Sequence, residues 1–595
     1  MEKKSSRWFP KVEISRLHAT ILALILISLI LRIPILLLRC FCPDEFQHLH
    51  AARSIVHGMV PYRDFFEHHT PFLYYLLAPV YAIVGDSMSM LFYSRGIMLL
   101  FTCGIIYLVY KLGKMVYGAD TGWIGALFVA YNLMFMDKTI ETRPDLPGMV
   151  FWLLTLIFLI QGMKLKERRY YLLTGASIAL AILCTPKMLF GGIGLFLAAI
   201  WLLFDRRTEN SLRESVGAIA WMGLGVSIPA GLTCIYFGAN QALDDFIYRN
   251  FTTNLQWRHS TGLGATWSFW LYNVARNPFF SVFSFTGLAI ATYRLRCKHD
   301  IAKGAFVPVI ATYALLGALF VIPEAYGQYF VFFLILLAVF AGLTVSTMMN
   351  RLSITVLKNM LRKRKLDLVA YCLIGAATVV ALGCALAHSS PKLPFLSSSS
   401  GGNLCSHACY PAADQIPYSG LIYLGVWACL LVGALSAFLL KRHSADNSNS
   451  IRRAITFLLL IGIFMYPLSE VASQVKRTNA LTLKEIQFVL DNTTKDDYVI
   501  DGFHGSGVFR HHTYYYHFVH VGVRMMMTEK ELSTDIVSAM HEKQPKIVVY
   551  DRDLQNTSEA VRQYVKEHYV PTGVGVLHIL KETELEPGKN SPAED

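Results

Sequence analysis

Two acids, Asp44 and Glu45, stand side by side directly after the first long apolar run, in the stretch RCFCPDEFQHLH. An acid pinned at the edge of an apolar slab can act as a general base or hold a cation. Pro43 before the pair suits a helix start and would put Asp44 near its N-cap, so simple capping is the plain alternative. A second acid, Asp145, opens another apolar run in ETRPDLPGMVFWLL, two residues after Arg143. Lys187 occupies a short turn, ILCTPKMLFGG, between two further runs. Arg and Lys so placed suit a phosphate, the Arg fork best of all. Each also has a plainer reading. Lys187 can snorkel to an interface, Arg143 can pair with Glu141 or Asp145, and Asp145 can face a helix dipole. Histidines crowd two places, His48, His50, His57, His68 and His69 early and His504, His511, His512, His517 and His520 late. Neither set has a closed ligand spacing. They read as polar surface histidines, no metal ligand is assigned, and a divalent cation is only an open alternative.

The elements that must position these residues are apolar. Of 595 residues, 54% are hydrophobic and 16% charged, with a mean hydropathy of +0.42. A soluble protein carries roughly 25% charged residues, so no soluble core could hide this much apolar surface. Eleven cysteines are too sparse for a disulfide scaffold. About thirteen runs reach the roughly 20 apolar residues that a membrane helix needs. Their cores are 17–38, 93–112, 119–136, 146–162, 170–186, 188–204, 216–237, 278–293, 304–322, 326–347, 367–388, 418–440 and 453–469. The first follows a basic tail without a small-residue cleavage site and reads as an uncleaved span.

The net charge is +13. With the N-terminus in the cytoplasm, the cytoplasmic loops are KLGK, KLKERR, DRRTENSLR, YRLRCKHDIAK, NRLSITVLKNMLRKRK and KRHSADNSNSIRR. With the tail they hold roughly half of all Lys and Arg, a positive-inside pattern. That accounts for the basic excess and leaves no call for nucleic acid. An odd number of spans puts residues 470–595 outside. There LKEIQFVLDNT and SEAVRQYVKEHYV read as helices, and DDYVIDGF and KIVVYDRD as short strands. The expected architecture is therefore mainly α and polytopic. A transmembrane domain, 1–469, carries a structured first outer loop, 39–92, and a small extracytoplasmic α/β domain follows at 470–595. Cys405 and Cys409, in an outer loop, could form a local disulfide or stay free.

The first loop, with Asp44-Glu45, Gly58, Pro61-Tyr62-Arg63-Asp64, His69-Thr70-Pro71 and Tyr74-Tyr75, resembles that of the dolichyl-phosphate-mannose–protein mannosyltransferase superfamily. Bacterial members include the aminoarabinose transferase that modifies lipid A. ETRPDLPGMVFWLL resembles its second outer acidic motif, ILCTPKMLFGGIGLFL its lysine-bearing turn, and EAYGQYFVFFLILLAVFAG its later Tyr-bearing motif. The tail resembles the outer domain of bacterial members. Departures are Gln47, where some relatives carry a basic residue, and His69-Thr70-Pro71 in place of a double proline.

The resemblance implies a C-type membrane glycosyltransferase that moves a sugar from polyprenyl phosphate to a lipid, glycan or protein acceptor, inverting the anomeric centre. It implies a catalytic group of Asp44 as base, Glu45 and Asp145. Arg143 and Lys187 would bind the donor phosphate, and Tyr62, Asp64, His69, Gln328 and Tyr329 the substrate. Tyr329 is also read as an interface-belt aromatic. No cofactor is firmly implied. The expected location is the bacterial inner membrane, with the site on the periplasmic face. The alternatives are a transporter or flippase of lipid-linked sugars, or a glycan polymerase or ligase. Against a transporter, the charges gather at one face and no internal repeat is visible. No Walker loop or dinucleotide fingerprint appears, and an already activated lipid-linked donor needs neither.

Overall fold

The computed structural model describes residues 15–204, 212–256, 270, 273–274, 276–297, 304–321, 327–351 and 478–581. The expected spans 367–388, 418–440 and 453–469, with Cys405 and Cys409, lie outside the described residues.

The described part is mainly helical. It runs through α1 (Arg16–Leu38), α2 (Pro43–Val56), α3 (Phe72–Val84), α4 (Ser89–Tyr117), α5 (Ala119–Tyr131) and α6 (Leu133–Lys138). It continues with α7 (Asp145–Leu165), α8 (Arg168–Cys184), α9 (Met188–Phe204) and α10 (Leu212–Ala239), then helices Pro278–Arg296, Phe306–Val321 and Val331–Arg351. Five described helices are long and apolar enough to cross a membrane: Leu17–Leu38, Ser89–Tyr117, Asp145–Leu165, Arg213–Ala239 and Val331–Met349. Their outer faces fit lipid. Ile30, Ile33 and Leu37 of α1, and Leu232 and Ile235 of α10, are exposed, which a soluble fold would bury. Val331–Ala341 are buried throughout, so this helix is the bundle's centre.

Small residues set the closest approach in the bundle. A Cβ at Gly175 of α8 would run into the Met222 carbonyl of α10, and one at Gly225 into the Leu172 carbonyl. Without hydrophobic drive between helices in lipid, such backbone approach is what holds a pair together. A buried charge inside a span must be paired. Arg32 of α1 donates to the Ala130 carbonyl at 2.9 Å and to Ser28.

The expected single span 119–136 is two helices. Asn132 breaks it, and its side chain accepts from Phe135 N to cap α6. The stretch 39–92, expected as an outer loop, folds as α2, a turn-rich stretch and α3, and its end is the start of α4. The tail contains both expected helices, Ala480–Asn492 and Glu559–His568. It also forms a five-stranded sheet in the order β2-β1-β3-β5-β4. Strands β1 (Tyr498–Asp501) and β3 (Ile547–Val549) were legible. The strands β2 (His511–His512), β4 (Tyr569–Pro571) and β5 (Leu577–Leu580) were not. β1 pairs in parallel with β2 and β3, while β5 runs antiparallel to β3 and β4.

The tail is docked on the first loop rather than hung beside it. Asn479 N donates to the Leu38 carbonyl at 3.0 Å, and its side chain to Leu37 at 2.8 Å. Phe66 N donates to the Tyr515 carbonyl, and the Tyr515 hydroxyl to the Tyr62 carbonyl. Arg510 reaches Asp86 at 3.4 Å. These bonds fix the loop against the tail.

Candidate active site

The site is built where α2, the turn 139–144 and the turn between α8 and α9 converge. Cys42 is the N-cap of α2, Pro43 stands at its first position, and the first turn presents both acids. The acids divide the work. Glu45 reaches back to accept from Cys42 N at 2.9 Å, so the capping expected of Asp44 falls to its neighbour. Asp44 instead accepts from Arg143 Nη1 at 2.7 Å.

Arg143 is the hub. It also bonds Glu141 at 3.3 Å and, through Nε, Asp145 at 3.2 Å. Asp145 in turn accepts from Lys187 Nζ at 3.3 Å. Lys187 lies 3.5 Å over the Tyr329 ring, a cation–π contact. Glu141 gathers Lys138 at 2.9 Å and Arg39 at 2.7 Å. The four cations Arg39, Lys138, Arg143 and Lys187 therefore face the three carboxylates Asp44, Glu141 and Asp145. The cluster carries one surplus positive charge at the end of the spans, which suits an anionic headgroup. Lys187 keeps 20% of its side chain exposed and Asp44 15%, whereas Glu141 is closed off at 1%. The two groups with an open face are an acid and a cation.

The electrostatics follow from this packing. Burial pushes the Asp44 carboxyl up, but Arg143 beside it, with His48 and His69, outweighs burial and holds it well below the usual carboxylate range. Burial lowers Lys187, and Asp145 partly restores it. Burial pushes His48 down to about 3, with His69 adding to the effect.

The expected site residues separate into groups. Asp44, Arg143, Asp145, Lys187 and Tyr329 are brought together. Glu45 is not free to touch a substrate, because both its oxygens are occupied. Oε1 accepts from Cys42 N and Arg95, and Oε2 from Arg95 and Thr142 N. Asp64 is a turn residue. It accepts from Val60 N at 2.7 Å and pairs with its neighbour Arg63, away from the cluster. Tyr62 is buried in the left-handed region at φ 73°, and its hydroxyl donates to the His69 carbonyl at 2.8 Å. It thus shapes the loop that carries His69. The Gln328 side chain lies outside the described residues.

The histidines are only partly the surface groups expected: His57 is exposed, and His68, His69, His504, His511, His512 and His520 are half-buried. His48, His50 and His517 are buried, and His50 stacks on His517 at 4.8 Å. His48, Glu67 and His69 place one ligand atom each within 4.8 Å of one another. Sequence reasoning passed over Arg95 and Glu67. Arg95 had a signal, as a lone cation inside the apolar stretch LFYSRGIML. Glu67 had none beyond standing among aromatics and histidines in FFEHH.

With this geometry in view, the comparisons are specific about fold. Residues 68–235 match the family described as dolichyl-phosphate-mannose-protein mannosyltransferase. The motif resemblance is borne out there. The matched segment carries His69, Arg143, Asp145 and Lys187 but begins after Asp44. A crystal structure of ArnT from Cupriavidus metallidurans bound to undecaprenyl phosphate is similar over 94% of this chain and 97% of that one. Its TM-score is 0.58 and its identity 14%. The apo state of the same protein is similar over 90% and 93%, with TM-score 0.55 and 14% identity. No curated protein sequence matches the chain. At this identity the likeness carries the fold: a polytopic helical membrane protein of the C-type architecture.

Proposed function

We propose that this chain is an integral-membrane glycosyltransferase that moves a sugar from polyprenyl phosphate to a lipid, glycan or protein acceptor. The observation that carries the reading is the chain of contacts from Asp44 through Arg143 and Asp145 to Lys187 at one end of the bundle. Its support is the fold shared with ArnT, whose structure holds undecaprenyl phosphate. In this reading thirteen spans and an outer C-terminal domain place the site on the periplasmic face of a bacterial inner membrane.

The chemistry is a single displacement. The acceptor oxygen attacks the anomeric carbon, the bond from that carbon to the phosphate oxygen breaks, and the acceptor proton passes to Asp44. Phosphate gains a charge as it leaves, and Arg143 and Lys187 stabilise it. Attack from the face opposite the leaving phosphate inverts the anomeric centre. Arg143 links the two ends of the reaction. A donor phosphate that takes over its bonds loosens the pair with Asp44 and makes the acid a better base when substrate is present.

Transfer from a radiolabelled polyprenyl-phosphate sugar by the purified protein in liposomes tests the reading. Label that crosses the bilayer still on its lipid, with none in a new product, would make the protein a transporter. Arg143→Ala and Lys187→Ala should each raise the donor concentration needed for half-saturation, by roughly 1.5–3 kcal/mol of lost charged contact. Arg143→Ala should also move the acid limb of the rate profile to higher pH, since the cation that depresses Asp44 is gone. Unchanged saturation in both variants would remove them from the donor site.

A further inference from the structure

Taking Asp44 as the base of the proposed transfer, we propose that the tail positions it, through a buried contact of His50 on α2 with His512 and His517 on the tail that closes only while the two tail rings are uncharged. Asp44 stands in the first turn of α2, and the same helix carries the tail's landing points. Phe46 packs so closely on the tail that a Cβ at Gly505 would run into its ring. One turn on, His50 Nδ1 lies 3.3 Å from the Val508 carbonyl, and the ring stacks on His517 at 4.8 Å. His512 meets the His50 ring at 6.0 Å, nearly edge-on. A further turn on, Arg53 shares Asp86 with Arg510 of the tail, at 3.3 and 3.4 Å. Phe46, His50 and Arg53 lie on one stripe of the helix, as such spacing requires. A helix gripped along one stripe cannot roll about its axis, and this fixes the direction in which Asp44 points.

The contact has no place for a charge. His517 is 2% exposed, and neither of its ring nitrogens has a hydrogen-bond partner among the described residues. Phe65 and Phe518 close the space around it at 5.8 and 4.9 Å, beside His50 and His512. The titratable groups that face it are His48 and His50 from α2 and His512 and His520 from the tail. None of these can answer a positive charge, and burial with these neighbours holds His517 well below the ordinary histidine value. His512 is committed to the neutral form by its bonds. Its Nε2 accepts from Asp501 N at 3.2 Å, so the ring proton sits on Nδ1 and is donated to the Tyr514 carbonyl at 3.1 Å. A second proton, on Nε2, would set donor against donor. Burial pushes His512 down to about 4, and Lys543 adds to the effect.

The direction of the pH effect follows. With the tail lifted off, both rings meet water and take a proton near pH 6.5, the ordinary value. A base whose pKa is lower in the closed state supports closure fully above about pH 6.5, and ever less as pH falls toward the closed value. At about pH 5.5 each ring has weakened closure roughly tenfold, and the pair roughly 100-fold. Asp44, held low by Arg143, does not titrate in this range.

Amide hydrogen exchange on the full-length protein in detergent reads the opening directly, corrected for intrinsic rates, from about pH 7.5 to about 5. Protection of α2 and of residues 505–518 should fall together below about pH 6.5, by at least roughly tenfold at pH 5.5. Turnover of labelled donor should fall wherever the protection of α2 is lost. Donor half-saturation should hold, because Arg143 and Lys187 stand on other elements. His517→Phe keeps a ring that cannot charge and should restore about tenfold of the protection lost at pH 5.5. His517→Lys should mimic acid at pH 7.5, opening the contact and lowering turnover, whereas His541→Lys, at an exposed place on the tail, should do neither. Wild-type protection that stays constant over the whole range would overturn the proposal without any variant, so a variant that fails to fold does not block the test. An acid loss unchanged in His517→Phe would remove that ring from the contact. Turnover kept where α2 has lost its protection would overturn the positioning role. A wild type that transfers no label at any pH would refute the glycosyltransferase reading instead, and the exchange profile would still decide whether the contact opens.

Discussion

Asp44→Asn should fold, insert and bind donor normally while losing about 100-fold or more in turnover, the usual contribution of a positioned base. The geometry removes the main competing explanation. Cys42 N bonds Glu45, not Asp44, so the substitution costs α2 no cap. Nor does it strand Arg143, which keeps Glu141 and Asp145. Asn keeps the size and a carbonyl facing Arg143 but cannot take a proton. Acidity should show the same acid at work. Asp44 is held below its ordinary value by Arg143. Whatever stability the pair contributes is therefore complete above roughly pH 3.9, the unfolded value, and is lost only as pH falls through the lower folded value. The free enzyme should show no Asp44 limb between about pH 5 and 7. Initial rates with labelled donor in liposomes across that range, for wild type and Asp44→Asn, decide the matter. Near-normal transfer by the variant would sink the assignment at its centre.

What could be read from the chain, and what could not, divides along sequence distance. The boundaries of α1 and α7 were plain because an all-round apolar run meets charge at its ends. Asp145 was visible for that reason, as the acid that opens a span. The break at Asn132 was hidden, since one polar residue in an apolar run does not announce that it will cap the next turn. Asp64 looked like a site residue because PYRD resembles a motif. Its carboxylate is consumed within four residues by Val60 N, a local solution that spacing alone cannot exclude. His50 and His517 depart from the expected surface position for the opposite reason. His50 bonds the carbonyl of Val508 and stacks on His517, and nothing near either segment reveals that the tail will cover the loop. Strand β2 is two histidines, β4 ends in a proline and β5 carries one β-branched residue, whereas β1 and β3, no longer than β5, hold adjacent Val and Ile.

Glu45→Gln should act on stability first. Glu45 and Arg95 are both essentially unexposed, at 1% and 0%, and meet through two bonds of 2.7 and 2.8 Å. The Arg95 guanidinium also donates to the Leu36, Arg39 and Cys40 carbonyls and lies 4.0 Å over the Phe41 ring. It thereby ties the end of α1 to α4, and Glu45 extends the tie to Thr142 N at 3.0 Å. That last bond sets the turn bearing Arg143. A Gln at 45 turns one acceptor into a donor, facing either Arg95 or Thr142 N. It leaves a buried cation without its counter-charge, and losing one partner of such a pair costs about 3–5 kcal/mol. Thermal melting in detergent should show the loss directly. If the charge pair is the cause, Arg95→Met added to Glu45→Gln should recover part of it, because neutralising both partners avoids the stranded charge. A catalytic Glu45 predicts a different pattern, an inert variant that melts like wild type. If Glu45→Gln melts normally, or the two substitutions simply add, the ion pair is not what fixes the turn bearing Arg143.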